Sequence, residues 1–329
     1  MKKFVLINQK IDLYKKKFIY VDGDKSLSIR FVLLSSLSNG KCIATNILKS
    51  EDVISAIKCI RKLGVKVNLI KDTCQIFGKG LYGFKPKNNT ILDAGNSGTV
   101  ARLMCSILIN LNSRIKITGD QSLKRRDMSR ITKPLKEFGL NIKDDKGKLP
   151  ILINKSKLLR PIKYLENLGS AQCKSAVMIA ALKVKGTTKL KCLPSRNHTE
   201  LMFKNALNIP IKIKKQKNYD LIHIAGLKNL KKFNYKIPGD ISSASFFIVL
   251  TLLSKNKSLI IKNININPSR IGIIKILNMM GAGIKFFNTK SYKGEKIGDI
   301  YVKSKKKFKS ISLNPKFNSS AIDEFLLIF

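Results

Sequence analysis

The chain has 329 residues, 44% of them hydrophobic, which is enough for two domains with separate cores. Its longest apolar run, FFIVLTLL at positions 246–253, is too short to span a membrane, and the N-terminal MKKFVLINQKIDLY lacks the apolar core of a signal peptide. The six cysteines form no CxxC pair and have no His at metal-ligand spacing, so we expect buried, reduced thiols and no metal site. These features predict a cytoplasmic protein without a membrane partner.

The formal net charge of +44 is open to more than one interpretation. A strongly basic chain can bind nucleic acid by neutralising phosphates. Here the lysines are spread along the whole chain, and aromatic residues, which stack on bases, make up only 7%. We therefore favour a solvated, lysine-rich surface over a nucleic-acid partner. An enzyme for acidic metabolites would also use such a field.

The first predicted elements recur at a spacing of about seventy residues. Gly23, Gly95, Gly169 and Gly239 each open a turn of small polar residues, followed by an apolar run with helical periodicity. After each of these helices comes a strand-like stretch such as KCIATNIL or KSLIIKNI. The sequence therefore contains an internal repeat.

The second half of each repeat contains another helix and short strands. Three of these second helices end on a glycine, which is the usual stop signal of a helix: Gly64, Gly139 and Gly281. The pattern predicts a β-α-β-α-β-β unit in four copies. A fifth copy starts at SISLNPKFNSSAIDEFLLIF (310–329), and we expect it to stop inside its first helix, which indicates an incomplete chain.

The repeated turn is typical of either a helix cap or an anion site. Unpaired N–H groups at a helix N-terminus attract anions, and Gly allows the backbone to approach a ligand. A single such turn is most simply an N-cap. Several copies with their own cations favour a cleft for a small polyanionic substrate. The cations are Lys25, Arg30, Arg125, Arg126, Arg196 and Arg270.

The motifs that contain these residues resemble the enolpyruvyl transferase family, and within it the 5-enolpyruvylshikimate-3-phosphate (EPSP) synthase branch. The matching motifs run from about Asp22 to Glu324: GDKSLSIR, LDAGNSGTVARL, TGDQSLKRRDM, GSAQCKSAVMIAAL, SRNHTELM, IPGDISSASFF, NPSRIG and IDEF. The branch that acts on UDP-N-acetylglucosamine is the near alternative. That branch carries a catalytic Cys in the second unit, whereas DQSLKRRDM has none.

The resemblance implies an α/β (α+β) fold of two lobes, each built from three repeat units, with helices inside and sheets outside, like an inside-out α/β barrel. Residues 23–235 would form one complete lobe of three units. Residues 1–22 plus 236–329 would form a partial second lobe, with one full unit and the start of another. The helix N-termini would point into the cleft between the lobes.

The resemblance also implies a reaction. The enolpyruvyl group of phosphoenolpyruvate would move to the 5-hydroxyl of shikimate 3-phosphate with release of phosphate, as a step of the shikimate pathway toward aromatic amino acids and without a cofactor. The substrates would be the small-molecule partners of a monomer. An alternative is a separate chain that supplies the remaining C-terminal part.

The same resemblance assigns roles to residues of this sequence. Asp323, next to Glu324, would be the general base, and Lys25 would be the second catalytic residue. The substrate-binding residues would be as follows: Lys25, Arg126, Gly98, Thr99 and Gln172 for phosphoenolpyruvate; Ser26 and Arg30 for the shikimate ring; Ser170, Ala171, Ser195 and Arg196 for the 3-phosphate. Read without the resemblance, Asp323 is a charge at a helix start, and His198 is a polar helix-start residue to which we assign no catalytic role.

The sequence departs from the family pattern at four positions and at its end. Asp22, Asp24 and Asp127 stand where the family has Pro or Ser, and Asn197 replaces an Asp. A carboxylate beside Lys25 would weaken anion binding unless it points away. Later family motifs, which carry an acid and further cations, are not found, so we predict little or no turnover by this chain alone. The alternative is a catalytically weak or dead remnant that still binds shikimate 3-phosphate.

Overall fold

The computed structural model describes residues 17–328, so the part of the predicted second lobe at residues 1–16 and 329 lies outside the described residues. The described strands form four sheets of four strands each. In each sheet the first strand runs parallel to the second, which is antiparallel to the fourth, and the third lies at the far edge. The predicted β-α-β-α-β-β units are therefore confirmed, in four copies.

The second and third units are continuous in sequence. The elements of the second unit are β5 (Thr90–Asp93), α3 (Gly98–Ile107), β6 (Ile115–Thr118), α4 (Gln121–Lys124), α5 (Ser129–Glu137), β7 (Ile142–Asp145) and β8 (Lys148–Ile153). Those of the third are β9 (Lys163–Glu166), α6 (Ala171–Ala181), β10 (Thr187–Cys192), α7 (His198–Leu201), a π-helical turn (Met202–Ala206), β11 (Ile211–Lys215) and β12 (Asp220–Ala225). The second helix of the third unit is thus a short α-helix that continues into a wider π turn.

The first and fourth units exchange their first strands. Strand β1 (Phe18–Ile19) precedes the first unit but pairs with β14 (Ser258–Asn265), and β13 (Asn234–Lys236) precedes the fourth unit but pairs with β2 (Asn39–Thr45). The remaining elements of the first unit are α1 (Lys25–Ser36), β2 (Asn39–Thr45), α2 (Glu51–Lys62), β3 (Lys66–Ile70) and β4 (Thr73–Lys79). Those of the fourth are α8 (Ile241–Leu253), β14 (Ser258–Asn265), α9 (Gly272–Met279), β15 (Lys285–Tyr292) and β16 (Glu295–Lys303).

The exchange makes the chain cross itself at two glycines. Gly23 and Gly239 form an antiparallel bridge, and the backbone N–H of Asp24 donates to the carbonyl of Pro238 at 2.8 Å. A Cβ atom at Gly23 would collide with the backbone carbonyl oxygen of Asn46. Gly23 is therefore required by the close approach of two backbones.

The buried side chains form two hydrophobic cores. The first core contains residues from Leu27 to Ile237 and the second contains residues from Ile241 to Val302. In the first core, α3 and α6 pack against each other, and α1 lies beside α3. In the second core, α8 buries one face but exposes Phe246, Leu250 and Leu253. The two cores therefore differ in how completely their central helices are covered.

The last described residues are less regular than the repeat predicts. They form a 3₁₀ turn (Pro315–Phe317), the short helix α10 (Asn318–Ala321) and a second 3₁₀ turn (Phe325–Leu327), and residues 310–328 contain no strand. Helix α10 packs on α9. Among the described residues, no helix combines the length and apolar character that a membrane span requires.

Candidate functional site

The N-termini of four helices, α1, α3, α6 and α8, meet at one cavity of about 580 Å³ between the two cores. Five cations and three carboxylates line this cavity, together with polar and small residues. The lining residues are Lys25, Ser26, Arg30, Leu48, Asp52, Asn96, Gly98, Thr99, Arg126, Ala171, Gln172, Arg196, His198, Asp240, Ser242, Ser243, Arg270 and Asp323. Most of the predicted site residues are thus brought together.

The repeated turn caps its helix and also presents residues to the cavity. In each copy the residue just before the helix accepts a backbone N–H from the first turn: Asp24 from Leu27, Ser97 from Val100, Ser170 from Cys173 and Asp240 from Ser242. In the first three copies the residues that follow the cap line the cavity, whereas in the fourth copy Asp240 both caps α8 and lines the cavity beside Ser242 and Ser243. In the first three copies, capping and cavity lining therefore fall to different residues of the same turn.

Arg30 lies deep in the cavity and is held rigidly. It is 3% exposed, and its Nε donates to Thr199 Oγ1 at 2.8 Å while its Nη2 donates to Ser175 Oγ at 3.0 Å. A third bond runs from Nη1 to the backbone oxygen of Ser26 at 3.1 Å. Burial lowers the pKa of Arg30 to about 10, so it stays a cation at neutral pH.

Gln172 is positioned by two residues of α3. Its Oε1 accepts from Arg102 Nη1 at 2.7 Å, and its Nε2 donates to Thr99 Oγ1 at 3.0 Å. Arg102 also donates to the backbone oxygen of Asp127 at 2.8 Å. The sequence analysis did not single out Arg102, although its position three to four residues after Gly98 and Thr99 places it on the same helix face.

Lys25 and Arg126 are the more exposed cations of the cavity. Lys25 Nζ lies 3.9 Å from Asp52 Oδ2 with half of its side chain in solvent. Arg126 Nη2 donates to Asn96 Oδ1 at 2.7 Å. Neither pair is buried, so both cations can turn toward a ligand at small cost.

The candidate base Asp323 forms an ion pair with Arg196 across the cavity. Arg196 Nη2 lies 2.7 Å from Asp323 Oδ2, and the two side chains are 18% and 52% exposed. Partial burial raises the pKa of Asp323, but the Arg196 guanidinium outweighs this effect and holds the pKa below its usual value. Asp323 is therefore an ionised carboxylate at neutral pH.

The neighbouring Glu324 has the opposite character. It is 1% exposed, its Oε1 accepts a hydrogen bond from Ser242 Oγ, and burial raises its pKa. Two adjacent carboxyl groups thus have pKa values shifted in opposite directions, a pattern often found at sites of proton transfer.

Asp24 points away from the cavity. It is fully buried, and its Oδ2 lies 3.7 Å from Arg270 Nη1, while Asp240 Oδ1 lies 3.3 Å from Arg270 Nη2. Burial works against the cation, but the two carboxylates together raise the pKa of Arg270. Burial, and then the charge of Asp240, raises the pKa of Asp24. Arg270 therefore neutralises the two helix-capping carboxylates, Asp24 and Asp240. The Asp24 side chain does not line the cavity that Lys25 lines.

The other departures from the family pattern are also directed away from the cavity. Asp22 is exposed, and Asp127 accepts the backbone N–H of Ser129 at 2.8 Å and pairs with Arg130 at 3.4 Å. Asn197 accepts hydrogen bonds from Asn267 and Ser269. None of the four departures places a carboxylate in the cavity.

Two residues predicted to bind the 3-phosphate, Ser170 and Ser195, are not among the residues that line the main cavity. Ser170 is half-buried and its hydroxyl caps α6, so only its neighbour Ala171 lines the cavity. Ser195 lines a different, smaller cavity, together with Pro268 and Lys275. Sequence reasoning missed Asp240, Ser242 and Ser243 as lining residues, although they belong to the fourth copy of the repeated turn.

His198 has a more specific environment than a helix-start residue requires. It is 1% exposed, and its Nδ1 lies 2.7 Å from Oε1 of the buried Glu295. Its other ring nitrogen, Nε2, is buried without a hydrogen-bond partner in the described structure. Burial disfavours the Glu295 carboxylate, but His198 outweighs this and lowers the pKa of Glu295.

Comparisons with known proteins agree on one family. The family model described as EPSP synthase (3-phosphoshikimate 1-carboxyvinyltransferase) matches residues 14–322. The chain is 40% identical over 310 residues to a 3-phosphoshikimate 1-carboxyvinyltransferase of Ruthia magnifica subsp. Calyptogena magnifica, covering 94% of this chain and 70% of that protein. A Petrotoga mobilis protein of the same name is 40% identical over 316 residues, covering 94% and 71%.

A solved structure agrees as well. The EPSP synthase of Acinetobacter baumannii superposes with a TM-score of 0.82 at 34% identity, covering 93% of this chain and 68% of that one. The expected enolpyruvyl transferase fold is therefore confirmed, and the chain belongs to the EPSP synthase family.

Proposed function

We propose that this protein transfers the enolpyruvyl group of phosphoenolpyruvate to the 5-hydroxyl of shikimate 3-phosphate and releases phosphate. The observation that carries the proposal is the cavity of about 580 Å³ that brings together four cations from the first core and Asp323 on the opposite side. Two phosphates and two carboxylates require such cations, and the hydroxyl requires a base. Membership of the EPSP synthase family supports the same activity.

For phosphoenolpyruvate, the proposed ligands are Lys25, Arg126 and Gln172, with the backbone around Gly98 and Thr99. Gly98 is the first residue of α3, so the unpaired backbone N–H groups at this helix N-terminus and the helix dipole favour the phosphate. Gln172 is fixed by Arg102, which lets it offer its remaining amide hydrogen in a set direction. Lys25 stabilises the negative charge of the departing phosphate and so acts as a catalytic residue.

For shikimate 3-phosphate, the proposed ligands divide into two groups. Ser26 and Arg30 hold the ring hydroxyl and carboxylate. Arg30 is already held by Thr199 and Ser175, so little side-chain entropy is lost when the ligand binds. Ser195 and Arg196, with Ser170 and the backbone of Ala171, hold the 3-phosphate. Arg presents a planar fork that binds phosphate through two hydrogen bonds.

Asp323 is the proposed general base for the 5-hydroxyl. In the structure it pairs with Arg196, a proposed ligand of the 3-phosphate. When the phosphate takes over Arg196, Asp323 loses its partner, and its pKa returns toward the usual value. The substrate thereby frees the base that accepts its own proton.

We also propose the division into lobes that the resemblance implies, with residues 23–235 in one and residues 1–22 plus 236–329 in the other. The two separate hydrophobic cores support this division. The change from one core to the other falls between Ile237 and Ile241.

A second candidate function is binding of shikimate 3-phosphate without turnover. The apolar face of α8 formed by Phe246, Leu250 and Leu253 is exposed in the chain by itself. Because the second side of the cavity is built on this incompletely covered core, the exposed face favours binding without turnover for the chain alone. The equivalent helices α3 and α6 are covered by each other. We propose that a polypeptide carrying further repeat units covers this face when turnover occurs.

Calorimetry and phosphate release test both candidates. We expect shikimate 3-phosphate to bind, phosphoenolpyruvate to bind more tightly in its presence, and Arg126→Ala to abolish the second effect. Arg125→Ala is the matched control, because Arg125 is exposed and does not line the cavity. Binding without phosphate release would favour the second candidate, and the absence of any binding would contradict both.

A further inference from the structure

Three consecutive residues of the first core contact the second core through side chains. Arg196 pairs with Asp323, Asn197 Oδ1 accepts from Asn267 Nδ2 at 2.9 Å, and His198 Nδ1 lies 2.7 Å from Glu295 Oε1. These residues join strand β10 to helix α7. The segment 196–198 therefore connects the two cores directly at the cavity.

The contacts of this segment differ in permanence. Glu295 is fully buried, and its second oxygen accepts from Asn267 Nδ2 at 2.8 Å, so both carboxylate oxygens are used. Asn267 in turn caps its own turn by accepting from Ser269. The Arg196–Asp323 pair is partly exposed and can exchange with a ligand. A fixed contact thus stands two residues from an exchangeable one.

We propose that His198 and Glu295 form a positioning pair that holds Arg196 at the mouth of the cavity, where it can pass from Asp323 to the phosphate of a bound ligand. This inference rests on the proposed function of the cavity. His198 itself does not touch the reacting atoms; it acts through Arg196.

The physical basis is the short distance along the chain. Two residues extend at most about 7 Å, so a fixed His198 confines the backbone of Arg196 to a small volume. Without the buried contact, the segment 196–198 would have to be ordered when the ligand binds, and that entropy would oppose binding. His198 therefore contributes to affinity by preorganisation.

Shikimate 3-phosphate binding to His198 variants tests the proposal. We expect His198→Ala to weaken binding about 10- to 100-fold, as for loss of a hydrogen bond to a charged group. His198→Asn should restore most of the affinity, since the Asn amide can occupy the place of Nδ1–H toward Glu295. His223→Ala is the control, because His223 is the other histidine of the chain and lies on β12, outside this cavity.

A double-mutant cycle separates positioning from a general loss of structure. If His198 acts through Arg196, then His198→Ala should have little further effect on affinity in an Arg196→Ala background. Additive losses in affinity would overturn the proposal, as would unchanged affinity in His198→Ala.

A measurement without ligand keeps the test independent of the proposed function. We expect hydrogen–deuterium exchange of the peptide that contains residues 195–198 to be faster in His198→Ala than in the wild type and in His223→Ala. Unchanged exchange would overturn the proposal. If the wild-type chain failed to bind shikimate 3-phosphate while the exchange rate responded as expected, the proposed function would fail and the positioning pair would stand.

Discussion

The two sides of the cavity carry different balances of charge. The side from the first core presents four cations, Lys25, Arg30, Arg126 and Arg196, and one carboxylate, Asp52, whereas the side from the second core presents the carboxylates Asp240 and Asp323. Arg270, the cation of the second side, is occupied by Asp24 and Asp240. In the proposed function, anion binding therefore falls mainly to the first side and proton transfer to the second.

This difference also explains how the chain tolerates acidic departures near an anion site. Asp24 lies next to Lys25 in sequence, yet it is buried against Arg270 on the side of the second core. Its charge is neutralised by a residue 246 positions away in the sequence. The carboxylate of Asp24 thus forms an ion pair where the two sides meet and does not pair with the cations of the first side.

The largest expected effect comes from removing Asp323, the proposed base on the second side. Under conditions in which the wild-type protein releases phosphate, including addition of a polypeptide that carries further repeat units, Asp323→Asn should reduce the rate by about 10²- to 10⁴-fold, because the 5-hydroxyl loses its proton acceptor. Affinity for shikimate 3-phosphate should be unchanged or higher, since Arg196 no longer has a competing partner. Kinetics and calorimetry on the same variant check both parts, with Asp22→Asn, an exposed carboxylate, as control. Equal turnover in Asp323→Asn and the control would contradict the assigned role.

The second-largest effect is expected from removing Arg270, the cation that neutralises Asp24 and Asp240 where the two sides meet. Arg270→Met should lower the free energy of unfolding by about 3–5 kcal/mol, because it leaves two carboxylates buried without their cation. Asp24→Ser should cost clearly less, since Ser can still cap α1 and Arg270 keeps Asp240. Urea denaturation measures both. A larger loss in Asp24→Ser than in Arg270→Met would contradict the pairing described above.

A third effect concerns pH and the contact between the two sides. The folded-state pKa of Glu295 is lowered, so its ionisation stabilises the fold above the usual pKa of 4.5, and this contribution is lost as the pH falls through the lower folded value. Glu295→Gln should cost about 1–3 kcal/mol at neutral pH and should flatten the acid dependence of stability. Urea denaturation curves recorded between about pH 3 and pH 7 test this acid dependence, because that range covers the titration of carboxyl groups. An unchanged slope in the variant would refute it.

The smallest effect is expected at Asp127, on the first side but directed away from the cavity. Asp127→Asn keeps an oxygen that can accept the N–H of Ser129, so stability should change by no more than about 0.5 kcal/mol. Phosphoenolpyruvate affinity should stay within about twofold, because the charge does not face the ligand. A clear gain in affinity, measured by calorimetry, would show that Asp127 does weaken anion binding.

The repeat and its helices could be predicted from the sequence because their signals are local. The glycines at 64, 139 and 281 all have positive φ, as a helix stop requires, and the polar residues of each turn cap the helix that follows. The pairing of Arg196 with Asp323 and of His198 with Glu295 could not be predicted in this way. These partners are about 100 or more residues apart, and periodicity within one element carries no information about them.

The repeated turns alone pointed to a cationic cleft, and five of the six cations named from them line the cavity, but the roles of single residues came only from the family resemblance. Motif matching pointed to Lys25, Arg126 and Asp323, but it gave no direction for the side chain of Asp24. Direction depends on which group lies opposite in the folded chain, and here that group is Arg270. Ser170 shows the reverse case, because its capping bond follows from its local position before α6.

The exchange of first strands between the first and fourth units has a consequence for how the molecule forms. Strand β1 pairs with β14, and β13 pairs with β2, so the sheet of the first unit waits for β13, and β1 is made long before the sheet that it joins. The sheets of the second and third units are each built from four strands of the same unit, so their strands can pair soon after they emerge from the ribosome. The first unit must hold an open sheet edge until residue 236 has been made. The sheets of the two middle units can therefore be complete before the sheets of the first and fourth units.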